Sequence, residues 1–216
     1  TGISTFVVQT DDNAIAPGQW SHIAYIRSAT GPGNQKLYVN GIEQTLLSEA
    51  DYAFLSNSDA KVIASGTNGD QLFTGRIDEL RVWNEARTEA DIRDNMGSEL
   101  TGTESGLVAY DAFNESVGAT LPDRTANGND GTLNGMTDGS WVASTAPLDA
   151  DFGDALEPYP TLLSDNGAYH SATGPTLGAS RDMEPDGAPS AAADGDGADE
   201  DGVTFGRLQI GKTDCP

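Results

Sequence analysis

The sequence predicts an all-β protein built as an antiparallel sandwich, with one short helix and a loop-rich acidic tail. Three observations predict it. Short β-branched and aromatic runs recur through the first half, each bounded by Gly, Pro or Asn. Asn40-Gly41 sits between two such runs, and that dipeptide suits the type I′ turn of a two-residue hairpin, which needs positive φ at both positions. Finally, F-T-G-R-I-D-E-L-R-V-W-N-E-A-R-T-E-A-D-I-R-D-N-M (73–96) closes a β-rich run on Val82 and Trp83 and starts a capped helix at once.

In chain order, I-S-T-F-V-V-Q is the first strand-like run. W-S-H-I-A-Y-I-R follows, with Trp20, His22, Ala24 and Ile26 on one face and Ser21, Ile23, Tyr25 and Arg27 on the other. Apolar groups on both faces suit a strand inside a sandwich. After G-P-G-N, the run Q-K-L-Y-V-N-G-I-E-Q-T-L forms the predicted hairpin, and K-V-I-A-S-G-T-N-G-D supplies another strand and turn. Ile77 is in phase with Trp83 whereas Leu80 and Val82 are not, which predicts a bulge or strong twist near Asp78-Glu79. Thr88 is the predicted N-cap of a helix over 89–96, with Asp91 three residues on approximating a capping box and Gly97 as the stop. G-L-V-A-Y-D-A-F-N-E (106–115) alternates again. A turn-dense loop, D-R-T-A-N-G-N-D-G-T-L-N-G, comes next, and Trp141-Val142 marks one more strand.

Composition narrows the function. The 34 acidic and 11 basic residues leave a net charge of −23. Such a surface repels phosphate backbones and anionic headgroups, so nucleic acid is not an expected partner. No apolar run approaches the ~20 residues needed to span a bilayer, so no direct membrane insertion is expected. The charge favours divalent cations, high-salt surroundings, or both. With a single cysteine, Cys215, a disulfide framework and a multi-thiolate zinc site are excluded; Cys215 could pair only with a residue outside the sequence. At Pro147 the composition changes. Between Asp149 and Gly202 stand thirteen acidic residues and one basic one, Arg181. This divides the chain into residues 1–147, the β sandwich with its return strands, and 148–216, an acidic segment too poor in apolar groups to form a large core alone.

W-S-H-I-A-Y-I-R, L-Y-V-N-G and the 73–92 run together resemble the second half of laminin-G-like, concanavalin A-like jelly-roll domains. E-S-G-L-V-A-Y-D-A-F-N-E through T-A-N-G-N-D-G-T-L-N-G is similar to a stretch that accompanies such domains. D-F-G-D-A-L-E-P-Y-P-T-L-L through A-D-E-D-G-V-T-F resembles acidic segments of long bacterial surface and secreted proteins, with Leu156 in place of their usual proline. The resemblance implies a concanavalin A-like jelly roll that is incomplete at its N-terminus, because only nineteen residues precede Trp20. It implies a piece of a larger parent chain, secreted or on a bacterial cell surface. It further implies adhesion or carbohydrate recognition, with a glycan or protein ligand on a surface and calcium support at the sandwich rim. A structural spacer in a long multidomain protein is the alternative.

Candidate metal ligands follow from carboxylates in turn-rich runs, since calcium takes six to eight oxygen ligands. They are Asp194, Asp196, Asp199 and Asp201 in D-G-D-G-A-D-E-D-G; Asp123, Asn127 and Asp130, with Asn129 beside them; and Asp151 with Asp154. Each has a plainer reading as a solvated acidic linker or turn chemistry, and Ala198 breaks the EF-hand spacing of the first. No catalytic residue is expected. A glycosidase strand of this fold needs carboxylates at i, i+2 and i+4 on one face, whereas Arg76 and Leu80 flank Asp78 at those spacings and Glu79 points the other way. His22 reads as a structural histidine, and the expectation is a non-enzymatic protein.

Overall fold

The computed structural model describes residues 8–11, 13–29, 33–48, 62–65, 72–153, 155, 158–165, 167–171 and 186–191. The chain divides into two compact units, Thr1–Pro147 and Leu148–Pro216. Every strand pair among the described residues is antiparallel, and they contain one α-helix. The fold class is all-β.

In the first unit, β1 (Ile23–Arg27), β2 (Gln35–Val39) and β3 (Ile42–Glu43) form one sheet in that order. Ile23 pairs with Val39 and Arg27 with Gln35. Asn40 and Gly41 turn the chain with φ of 49° and 73°, the double positive φ that a type I′ hairpin requires. Asn40 also ties the turn to β1: its N–H donates to the His22 carbonyl at 2.9 Å, and its Oδ1 accepts the His22 N–H at 2.8 Å.

β4 (Leu80–Trp83) pairs with β5 (Leu107–Asp111), Leu80 opposite Asp111. The change of phase in this strand uses two devices. Glu79 takes φ 53° just before β4 starts, and the ladder slips between Val82 and Trp83. The irregularity at Asp78-Glu79 is therefore real, and it is joined by a second one further on.

The helix α1 (Glu89–Asn95) begins as its sequence dictates. Thr88 Oγ1 accepts the Asp91 N–H at 3.1 Å and Asp91 Oδ2 accepts the Thr88 N–H at 2.9 Å, a complete capping box. Its end corrects the expectation. Gly97 does not take positive φ, and Met96 stays right-handed. The Arg81 side chain closes the helix instead, donating to the carbonyls of Asn95 (2.6 Å) and Ser98. A side chain from a neighbouring strand satisfies the orphan carbonyls that a left-handed glycine otherwise would.

Two apolar clusters hold this unit. Ile26, Tyr38 and Ile92 pack with Ala24, which fastens α1 to the β1–β2 sheet. Leu100, Leu107, Tyr110 and Ala112 pack with Trp83 around the β4–β5 pair. Burying a side chain such as Ile92 contributes roughly 1.5–3 kcal/mol. The opposite face of the sheet is packed unevenly: Ile23 and Tyr25 on β1 are 51% and 45% exposed, whereas Val39 and Gln35 on the same face of β2 are buried.

Three strand expectations are corrected or fall elsewhere. The first strand-like run lies mostly outside the described residues; within them, Gln9 makes an isolated bridge to Ser48. Val62–Ser65 is irregular, and the remainder of its run lies outside the described residues. Trp141 and Val142 are not a paired strand. They follow a 3₁₀ turn (Asp138–Ser140), and the Trp141 ring N–H donates to the Gly118 carbonyl at 2.9 Å, which fixes the ring without a ladder. β6 (Thr120–Leu121) pairs instead with β7 (Gly131–Thr132).

In the second unit, β8 (Ala150–Phe152) pairs with β9 (Tyr169–Ser171). Phe152, 1% exposed, lies against the Tyr169 ring with centroids 5.0 Å apart. Asp186 Oδ1 accepts the N–H groups of Leu163 (2.6 Å) and Gly187 (2.9 Å). A side chain at Gly187 would run into the Thr161 backbone, so the described residues of this unit include a close backbone approach that only glycine permits.

Gly41→Ala tests the hairpin. Its Cβ would sit 2.9 Å from Arg93 Cγ on a backbone with positive φ, and the left-handed conformation alone costs about 1 kcal/mol for a non-glycine residue. Urea unfolding should show a loss of about 1–2 kcal/mol; an unchanged midpoint would contradict the turn geometry.

Candidate functional site

Among the described residues, two places gather polar side chains. The first is a groove of about 540 Å³ beside the β2–β3 hairpin, lined by Gln35, Lys36, Glu43, Gln44, Thr45 and Leu46 among others. The hairpin creates it, because the two-residue turn brings Lys36 and Glu43 within reach. Lys36 Nζ lies 2.7 Å from Glu43 Oε2, and the Tyr38 hydroxyl donates to the same oxygen at 3.3 Å. The Lys36 bond holds the Glu43 carboxyl below its usual range. Both partners are nearly half exposed, so the pair adds little stability and stays accessible to a ligand. At the groove wall, the Tyr25 hydroxyl donates to Gln35 Oε1 at 2.9 Å, orienting an amide that is 4% exposed. Amides, an ammonium and a carboxylate around an open groove can donate to and accept from a polyhydroxylated ligand.

The second place is the end of β5 and the loop that follows. Asp123 Oδ1 accepts the N–H groups of Tyr110 (3.0 Å) and Thr125 (2.8 Å), while Oδ2 accepts the Asn129 N–H and the Thr125 hydroxyl, both at 2.8 Å. Asp130 Oδ1 accepts the Asp123 N–H at 2.9 Å. Asn127 and Asn129 each donate a side-chain N–H to the Val108 carbonyl at 2.9 Å. The structure thus brings Asp123, Asn127 and Asp130 together, but as a clasp that pins the loop to β5. Burial pushes the Asp123 carboxyl up; the hydrogen bonds from Thr125, Asn129 and Tyr110 outweigh it and leave it below the usual range. Asp123 has both oxygens committed.

Asp111, beside this clasp, is a residue that sequence reasoning missed. It is 7% exposed, and its Oδ1 has no hydrogen-bond partner. Burial, with the charges of Asp123, Glu115 and Asp130, pushes its carboxyl up to about 6. The available signal was a carboxylate in phase with Leu107 and Ala109 on one strand.

Of the other expected ligands, Asp151 lies in β8 with its backbone paired to His170. Its side chain, Asp154, Asp194, Asp196, Asp199, Asp201 and Cys215 lie outside the described residues. Among the described residues, no three His, Cys, Asp or Glu side chains converge to hold a metal by themselves.

The adjacent carboxylates of Asp78 and Glu79 in the 73–96 run are both occupied. The Ser144 hydroxyl donates to Asp78 Oδ2. Glu79 accepts the Tyr110 hydroxyl at 2.8 Å and the Arg81 guanidinium at 2.7 Å. His22 is also enclosed. Burial, then the Arg81 charge, lower its pKa from 6.5 to about 4.

Asp123→Ala strands the donors of Tyr110, Thr125 and Asn129. Bonds to a charged group contribute about 1.5–3 kcal/mol each, with water recovering part at this half-open site. Unfolding should show a loss of roughly 2–4 kcal/mol; less than 1 would reject the clasp. For His22, the unfolded chain takes up a proton below 6.5 and the folded chain only below about 4. The stability contributed by the neutral ring is complete above pH 6.5 and is lost as pH falls towards 4. Relative to wild type, His22→Gln should therefore gain up to about 3 kcal/mol between pH 7 and 4, at 1.36 kcal/mol per pKa unit. A pH-independent difference would refute the lowered pKa.

Comparison with known proteins bears on the first part of the chain. A family model described as the Concanavalin A-like lectin/glucanases superfamily matches residues 1–93. No curated protein matches. A crystal structure described as "a putative carbohydrate binding protein" from Bacteroides ovatus is similar at 29% identity, covering 57% of this chain and 36% of that one, with a TM-score of 0.44. The chain spans little more than a third of that protein's length. With the antiparallel strands and the helix, the match at residues 1–93 gives an all-β fold of the concanavalin A-like type.

Proposed function

We propose that this chain is a non-catalytic carbohydrate-recognition module, with the groove beside the β2–β3 hairpin as its ligand site. The match of residues 1–93 to the lectin/glucanases superfamily carries the reading. The groove supports it by offering hydrogen-bonding side chains from Lys36, Glu43 and Gln44 beside the Asn40-Gly41 turn. The non-catalytic part is supported by the commitments of Asp78 to Ser144 and of Glu79 to Arg81 and Tyr110, which leave no free pair on that strand for glycoside chemistry. The finer parts of the proposal rest on sequence. They are adhesion by a secreted or cell-surface bacterial protein, membership of a longer chain, and calcium support from acidic runs such as Asp194–Asp201 and Asp151–Asp154.

A glycan array probed with the labelled full chain tests this, beside the double variant Lys36→Ala/Gln44→Ala. A defined set of glycans should be retained. The double variant should bind them about tenfold more weakly, as expected from losing one or two hydrogen bonds of about 1 kcal/mol each. Silence across the array would overturn the proposal in favour of a structural spacer. Unchanged binding by the variant would move the site away from this groove.

A further inference from the structure

The groove beside the β2–β3 hairpin carries its charges as one pair, and that pair bears on which sugars can enter. Tyr38 stands opposite Glu43 in the ladder, so the Lys36 side chain, two residues along on the same face, reaches Glu43 at 2.7 Å. The Tyr38 hydroxyl donates to the same oxygen, Oε2. Neither bond uses Oε1, and the carboxylate is nearly half exposed where it lines the groove. Beside it, Gln44 Nε2 donates to the Ile42 carbonyl at 3.0 Å, which commits part of the amide nitrogen and leaves the amide oxygen to accept.

Among the described residues that line the groove, Lys36 is the only basic one. A carboxylate only accepts hydrogen bonds, whereas a sugar hydroxyl both donates and accepts. One hydroxyl can therefore donate to Glu43 while its neighbour accepts a remaining Lys36 proton, with the ion pair intact. A uronate or sulfate group offers acceptor oxygens alone. It could be held only by Lys36, whose ammonium is already shared with Glu43, and it would set a second negative charge beside the first. Such like-charge contacts are how binding surfaces reject wrong partners. Distance decides which charge matters. Charges are screened over about 8 Å at physiological ionic strength, so most of the net charge of −23 is muted at the groove, while Glu43 acts at contact.

We propose that Glu43 is the specificity-determining residue of the groove, accepting hydroxyls of uncharged sugars and rejecting glycans that present carboxylate or sulfate groups there. The proposal rests on the carbohydrate-recognition reading of this groove and names the ligand class of that same site. Lys36 has the complementary part. While paired it donates to hydroxyls; released from Glu43, it becomes the point charge that an acidic sugar needs. One carboxylate thus holds the preference, and removing it changes which glycans bind as well as how tightly.

Binding of the labelled full chain at physiological salt to neutral oligosaccharides (xylo-oligosaccharides, β-galactosides and β-glucans), each beside its uronate- or sulfate-bearing counterpart, tests this. Wild type should retain neutral members and bind their acidic counterparts at least about tenfold more weakly. Glu43→Gln should lose about tenfold on the neutral members, the difference between a charge-assisted and an ordinary hydrogen bond, and should gain on the acidic ones. Lys36→Gln/Glu43→Gln, with both charges gone, should lose that gain. Glu43 is exposed and glutamine keeps its shape, so the fold should tolerate the exchange, which a thermal melt checks. Equal retention of acidic and neutral members by wild type, or an unchanged preference in Glu43→Gln, would overturn the proposal and leave carbohydrate recognition standing. Silence on every member would overturn that reading, and the proposal with it.

Discussion

Arg81 is the residue on which the first unit depends most. Its guanidinium meets Glu79 on its own strand, the carbonyls of Asn95 and Ser98 at the end of α1, and the face of the Tyr110 ring, 5.7 Å from the centroid. Tyr110 in turn donates its hydroxyl to Glu79 and accepts the Leu100 N–H at 3.2 Å. One cation therefore links β4, α1 and β5. Arg81 and Glu79 are each only 10% exposed at the side chain. Removing either partner of such a pair leaves an uncompensated buried charge, at a cost of about 3–5 kcal/mol. Burial, moderated by Arg81 and Tyr110, raises the Glu79 pKa, and burial with Glu79 raises that of Tyr110. The network is a joint, and both oxygens of the Glu79 carboxylate are engaged in it.

The same logic governs the acidic excess. A chain of net charge −23 must spread its carboxylates or satisfy them locally. Asp91 caps a helix, Asp123 ties a loop to a strand, Asp186 gathers two backbone N–H groups, and Glu104 accepts those of Thr101 and Gly102. Backbone amides do the work that basic side chains are too few to do. Asp111 and Glu115 stand out because their buried oxygens receive no such donor.

Much of the fold was legible in short-range chemistry. Thr88 with Asp91 and Asn40 with Gly41 behave as their local preferences dictate, since caps and turns are decided by residues within three or four positions of one another. The antiparallel runs Ile23–Arg27 and Leu107–Asp111 were readable from alternation. Gly97 and Trp141 were not. A helix end can be closed by a side chain fourteen positions away, and a tryptophan can be fixed by one carbonyl with no strand around it.

The candidate sites divide the same way. The sequence by itself determined the all-β class, the hairpin, the capped helix, the acidic balance and the runs in which carboxylates concentrate, because composition and local pattern set these. Only the tertiary structure decided what each carboxylate does. Asp123, Asn127 and Asp130 looked alike as ligands, yet long-range pairing with β5 made them a clasp. Asp111 looked like one more strand-end polar residue, yet the same pairing buried it with one oxygen left without a hydrogen-bond donor. Burial and hydrogen-bond partners are properties of positions brought together across ten to thirty residues, and no short window of sequence contains them.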